Sequence, residues 1–585
     1  MKKTFKTMLA LMAGAMVFAA CSNDDTLENI NEQTPSALKP MIFTVSMEGQ
    51  GGGTRAAIDG LDIKWTSGDK ISIFDGEADE DGNLAREFVL TGGVGSTAGT
   101  FEGKAATATT YYALYPYAAS SFESKDVTEE DARAAAGKYS NQLDMWKDFI
   151  EMDEEMVIDM MRDHEISPEN QAIILAYLKG EKIEKKSGVQ RNASNQFEDV
   201  VIPAEQTATA GSADPKAMLM IGESDDANSL QFKNVCAYIK VTPTFDCASI
   251  VIKSNGSENL AGTVTVDYND GAPTATVTKN GSNKVHLSGT ITKDNDYYIA
   301  VTPGTLASGF TVEFYTAGSA SYYFRSTSKS TAIARSKVIN LGTFNKESLS
   351  VNNNYLTGKF SVSATKQISF AKGNLYYDGS TFNFENSQLN YTTSWNTSHI
   401  THFYWSKDPA VAYANKYSDA SASTTDMLFT NATETTPNAS FTVGLQTGVW
   451  RALSSDEWKY LLFNRPNAAD KYNAKVTVNG HYYLVLAPDD FTGTIESTYT
   501  NAEVETAEQN GLVFLSYAGF KYDTSTSISN TNVELTYVSS TPHSSEKTES
   551  ARVFFNNTRT DGLMIQEDGG RGWGANIRLV TDVIE

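Results

Sequence analysis

The feature that most restricts this chain is a period of two. In Met41–Met47, residues Phe43, Val45 and Met47 fall on one face and Thr44 and Ser46 on the other, the spacing of a strand half buried in a sheet. Ile63 and Trp65 repeat the pattern before a Ser67-Gly68-Asp69 turn, and Ile71 and Ile73 repeat it after the turn. Tyr297, Ile299 and Val301 do so again ahead of Pro303-Gly304. Between Gly262 and Pro303, Asn269-Asp270-Gly271 and Asn280-Gly281 supply the residue types that tolerate the positive φ of tight hairpins. A chain so patterned is mainly β. At 585 residues it is too long for one core, and typical sizes imply about three or four domains.

One block breaks the rule. Between about residues 127 and 186, Trp146, Phe149, Ile150, Val157, Met160 and Met161 recur at helical spacing. Ser167-Pro168-Glu169 offers an N-cap followed by a proline in the first turn, and Gly180 after Leu178-Lys179 offers a stop. The expectation is a helical hairpin inserted into a β domain. Met145, Met152, Met156, Met160 and Met161 read either as core or as an adaptable partner surface. Asp153, Glu154, Glu155 and Asp159 read as its solvated face.

The N-terminus carries a targeting pattern. Lys2, Lys3 and Lys6 precede an apolar run from Met8 to Ala20, which ends in Phe18-Ala19-Ala20-Cys21, as in bacterial lipoprotein signal peptides. The run is too short for a permanent span. Cys21 is therefore expected to become the lipid-bearing first residue, residues 22–38 a polar tether, and the lipid the only membrane contact.

Composition removes whole classes of function. With 47 basic and 71 acidic residues the formal charge is −24, which repels phosphate backbones and argues against nucleic-acid binding. Cys236 and Cys247 could form a disulfide or could be two small buried hydrophobes, and no C-x-x-C exists to begin a thiolate metal site. His399 and His402 have no further ligands at a convincing spacing and read as loop histidines. Pro488-Asp489-Asp490 suits a turn better than acid-base work, because adjacent strand residues face opposite ways. With no G-x-S-x-G, H-E-x-x-H or P-loop, no catalytic residue, cofactor or metal is expected.

Taken alone, Arg55 after Gly51-Gly52-Gly53 is a loop arginine on a segment a protease can reach. Together, Thr54-Arg55-Ala56, Trp65–Phe74 (WTSGDKISIF), Thr110–Tyr117 (TYYALYPY) and Ile202–Met220 (IPAEQTATAGSADPKAMLM) resemble the fimbrillin-like pilins of Bacteroidetes. The resemblance implies two consecutive antiparallel β-sandwiches. The first would span residues 39–226 and contain the insert at 127–186. The second would span 227–345, opening at Phe232-Lys233-Asn234-Val235 and closing at Val338–Phe344, with 346–355 as a linker. It further implies that an Arg-specific surface protease cuts after Arg55. Loss of the strand bearing Phe43, Val45 and Met47 would then open a groove for the donor strand of a stalk pilin subunit. The precursor would sit on the outer membrane and the mature protein in a fimbrium.

Residues 356–585 differ in texture. Ile368–Tyr391, Trp450–Pro466, Val478–Phe491, Gly511–Phe520 and Gly574–Val580 together resemble an α+β C-type-lectin-like fold, nearest in pattern to domains related to formylglycine-generating enzymes. Such an enzyme needs an active cysteine pair, and this third has no cysteine. The E-P-N, Q-P-D and W-N-D motifs of calcium-dependent lectins are also absent. Ser454 followed by Asp456 and Glu457 reads as a helix start. The resemblance places ligand contacts just before the last strand, at Tyr537, His543, Asn556, Asn557, Arg559, Arg571 and Trp573, facing a host or bacterial surface glycan or protein. Trp573 and Tyr537 read equally as packing residues. Because the C-terminus runs into this globular region and stops at Glu585, the expected role is a tip subunit or adhesin. The alternative is a permanently lipid-anchored glycan-binding protein for nutrient uptake, with Arg55 uncut.

Overall fold

The computed structural model describes residues 38–48, 61, 63–76, 84–150, 153–192, 196–268, 272–405, 428–430, 435–522, 527–542, 549–556, 558, 562–570 and 573–583. Seven strands close a barrel in the order Lys39–Met47, Leu230–Asn234, Met220–Ser224, Tyr111–Tyr115, Lys70–Phe74, Ala85–Gly92 and Ala98–Ala105. Trp65 fills its middle and meets Phe101, Tyr115 and Phe232 edge-on at 4.9, 5.2 and 5.9 Å. Gly99 makes room for it, since a Cβ there would lie 2.8 Å from the Trp65 ring. Where an open sandwich was expected, the sheet closes into a ring, because Lys39–Met47 hydrogen-bonds to both of the sheet's edges. Ile63 and Trp65 are buried but lie outside any strand.

The two β units are not consecutive. Gln190–Arg191 and Gln196–Ile202 join Ala261–Asp267 and Thr274–Ser282 in a four-stranded sheet, and Glu205–Thr207 runs parallel to Lys284–Ile291. The chain then returns to the barrel for Met220–Ser224 and Leu230–Asn234 before completing the second unit. The expected boundary at 226/227 therefore cuts the barrel rather than separating two sandwiches. Residues 190–207, assigned by sequence to the first unit, pair in the second. Both units share one hydrophobic core. The expected linker at 346–355 likewise contains Ser350–Asn353, the edge strand of a six-stranded sheet. Asn280 has the positive φ its sequence suggested, at 51°, but sits at a bulge inside Thr274–Ser282 instead of turning a hairpin. The expected turn at Asn269–Gly271 lies outside the described residues.

The insert is larger than a hairpin. Helices Glu129–Ala136, Leu143–Ile150, Glu154–Asp163 and Pro168–Lys179 stand on an antiparallel ribbon formed by Ser120–Asp126 and Lys182–Gly188. They bury Leu143, Trp146, Val157, Met161 and Ile174 in a core of their own. The caps fall where the sequence put them: the Ser167 hydroxyl accepts from the Asn170 amide, and Gly180 is left-handed at φ 68°. The methionines divide, with Met161 buried and Met145 exposed.

In the third unit Gln367–Phe370 pairs with Phe360–Ser361 and with Val580–Asp582, so the strands near its two ends lie side by side. A four-stranded sheet is built from Thr498–Tyr499, Tyr472–Val478, His481–Leu486 and Val513–Ser516, and a three-stranded one from Glu534–Pro542, Glu549–Asn556 and Met564–Gly570. Ser454 caps the helix Ser455–Lys459 in a capping box with Glu457. Glu457 also receives both terminal nitrogens of the buried Arg451, at 2.7 and 2.8 Å, and Arg451 reaches Asp582 on the last described strand. Asp489 accepts from Ser361, Gln367 and Arg465, which makes it a structural clamp.

Candidate functional site

Two surfaces carry the residues singled out by sequence. The first is the seat of Lys39–Met47. Its register is long: Lys39 to Ser46 pair antiparallel with Ala105 to Ala98, and Val45 to Met47 pair in parallel with Leu230 to Phe232. Alternation sends Phe43, Val45 and Met47 inward, where all three are buried, and leaves Ile42 outside at 54% exposure. Phe43 lies edge-on to Phe88 at 5.1 Å and to Tyr111 at 5.0 Å. Cys21 and Arg55 lie outside the described residues.

Beyond Met47 the segment reaches the second unit. The Glu48 carboxylate receives Nη1 and Nη2 of Arg335 at 2.7 and 2.8 Å, together with the backbone N–H of Asn234 at 3.2 Å. Arg335 Nη1 also donates to the Asn234 carbonyl at 2.6 Å. Burial alone would raise the Glu48 carboxyl, but the Arg335 contact and the Asn234 and Ser336 donors outweigh it and hold it below the usual range. Sequence reading missed this pair, because its members stand 287 positions apart.

The second surface is on the third unit. The strand Phe520–Tyr522 pairs with Trp573–Gly574. Phe520 stacks on Trp573 at 5.0 Å, and Tyr522, 52% exposed, meets the same indole at 5.9 Å. The Arg552 guanidinium lies 4.7 Å from the Trp573 ring centre. Between the two aromatics, Lys521 points the other way and is fully buried over Trp395 at 4.4 Å. The result is an aromatic step backed by a buried cation, with Tyr522 as its exposed face.

Of the other expected contact residues, Tyr537 and Asn556 are described. Tyr537 is completely buried; its hydroxyl exchanges hydrogen bonds with Asn374 and accepts from the Ser516 amide, so the ligand-contact expectation gives way to a packing role. Asn556 turns its oxygen on the Thr558 amide and hydroxyl, closing a local turn. His543, Asn557, Arg559 and Arg571 lie outside the described residues.

The histidines part company. His399 Nε2 lies 2.7 Å from Glu385. His402 is buried, with Nδ1 3.0 Å from the Thr401 hydroxyl and Nε2 3.2 Å from the Ala518 carbonyl. No metal-binding group of three or more His, Cys, Asp or Glu occurs among the described residues. Cys236 and Cys247 are free thiols, each pushed up to about 12 by burial.

No protein-family model matches this chain, and no curated protein matches its sequence. Among solved structures it is similar to a protein from Bacteroides uniformis described as a candidate cell adhesion protein (13% identity, TM-score 0.27, 53% of this chain and 95% of that one). It is also similar to a fimbrial protein from Bacteroides ovatus (12% identity, TM-score 0.19, 92% and 98%). A third is a fimbrial assembly protein from Parabacteroides distasonis (8% identity, TM-score 0.18, 57% and 96%).

Proposed function

We propose that this chain is a fimbrial subunit with an adhesive C-terminal head, acting by binding and not by turnover. The observation that carries the reading is the seat of Lys39–Met47. One strand, buried by three alternate side chains and joined to the rest of the barrel through the stretch containing Arg55, closes a ring that is otherwise an open six-stranded sheet. An extended peptide from another molecule would meet the same two ladders and the same pockets. In this reading Cys21 carries the lipid of an outer-membrane precursor, and cleavage after Arg55 frees the strand for replacement by a stalk subunit's donor strand.

The test is to mix purified precursor, an Arg-specific protease and a stalk pilin. Wild type should be incorporated and Arg55→Ala should not; equal incorporation of both would sink the cleavage step. The step formed by Phe520, Tyr522 and Trp573 also favours a second reading, a permanently anchored glycan-binding protein. Mass spectrometry of protein taken from cells separates the two, because a mature subunit begins at Ala56 and an anchored binder at acylated Cys21.

A further inference from the structure

The strand that would leave carries more than apolar side chains. Its last described residue, Glu48, is the partner of Arg335, whose side chain is only 23% exposed. Removing residues up to Arg55 would take away the carboxylate that meets two guanidinium nitrogens, the Asn234 amide and the Ser336 hydroxyl. The Asn234 carbonyl would still receive Nη1, but a carbonyl carries no charge to balance the guanidinium. The vacant seat would thus present three alternating apolar pockets and, at their far end, an arginine of the second unit without its carboxylate, still donating to the Asn234 carbonyl.

We infer that this seat selects its occupant by charge as well as by shape: the replacing strand bears a carboxylate directly after its last inward apolar side chain, and Arg335 recognises that acid. The occupant is an extended segment of another protein molecule, parallel to Leu230–Asn234 and antiparallel to Ala98–Ala105, with apolar residues at the positions of Phe43, Val45 and Met47. Its preferred terminus at that end is Glu or Asp. This rests on the strand-exchange reading above and adds to it the chemistry of the partner. Charge-assisted, bidentate contacts of this kind are both strong and geometrically selective.

The full chain, nicked after Arg55 and checked by intact mass, is incubated with labelled, C-terminally amidated peptides of residues 39–48, and exchange is followed by native mass spectrometry. Three peptides are compared: the natural sequence, Glu48→Gln and Glu48→Lys. In this first comparison only the peptides vary, so folding of the chain does not enter it. The Gln peptide should exchange in about tenfold more weakly than the natural one, and the Lys peptide more weakly still. In a chain bearing Arg335→Glu the order should reverse, with the Lys peptide preferred. Equal entry of the Glu and Gln peptides overturns the charge selection while leaving strand exchange standing. Entry of no peptide at all overturns both.

Discussion

Phe43→Ala is the sharpest probe of the barrel's closure. Phe43 is fully buried and makes two edge-to-face pairs, with Phe88 and Tyr111. Truncating such a ring removes its transfer free energy and leaves a cavity, for a loss of about 3–5 kcal/mol, in which the two aromatic pairs account for about 0.5–1.5 kcal/mol each. At about 1.4 kcal/mol per factor of ten, opening of the ring becomes roughly a hundred to a few thousand times more frequent. Hydrogen exchange reads this directly: the amides of Ala98–Ala105, which pair with Lys39–Ser46, should lose protection by that factor, while those of Val513–Ser516 in the third unit keep theirs. Ile42→Ala is the control, because Ile42 points outward and should change stability by at most about 0.5 kcal/mol. If Phe43→Ala stays within a factor of about three of wild type, or if Ile42→Ala matches it, the inward register is wrong and the argument fails.

Three further outcomes are expected. Gly99→Ala should destabilise the barrel by about 1–3 kcal/mol in denaturant titration, since the new methyl would fall 2.8 and 2.9 Å from Trp65 and Leu90. Arg451→Ala should cost the third unit about 3–5 kcal/mol by leaving buried Glu457 without its bidentate partner, and should lower that unit's melting temperature alone. Stability should also fall as the solution is acidified from about pH 6.5 to about pH 4. Burial holds both His402 and His481 down from 6.5 to about 4, so in that window the unfolded chain binds protons that the folded chain refuses. The stabilisation is complete above pH 6.5 and drains away as pH falls. His402→Gln should flatten the slope measured by pH-dependent unfolding, and an unchanged slope would exclude His402 as a source.

Signals that act over a few residues were legible. The alternation of Phe43, Val45 and Met47 gave their inward face, and the caps at Ser167, Gly180 and Ser454 marked helix ends, because the chemistry of each is complete within one turn or one strand. Pairing between distant segments was not legible. Nothing in Gln196–Ile202 announces that its ladder partner is Ala261–Asp267 instead of the barrel beside it, so the boundary between units was misplaced. Tyr537 misled for a related reason. It lies in Glu534–Pro542, where seven successive residues are buried, so the period of two that separates inside from outside is missing. Phe520 and Tyr522 were passed over although they alternate around Lys521. Only their pairing with Trp573–Gly574 brings them against the indole.

The way the chain threads between its first two units sets a timetable for synthesis. A ribosome will have delivered every residue of the helical insert before Met220–Ser224 and Leu230–Asn234 emerge to shut the ring, and Gln196–Ile202 must wait for Ala261–Asp267. Through that interval the nascent polypeptide displays raw sheet margins, the kind of surface on which neighbouring chains stick. Expression plasmids cut at residue 226 would freeze the molecule at that moment and yield precipitate. Those that run through Ser350–Asn353 would let the barrel strands and Gln196–Ile202 find their partners.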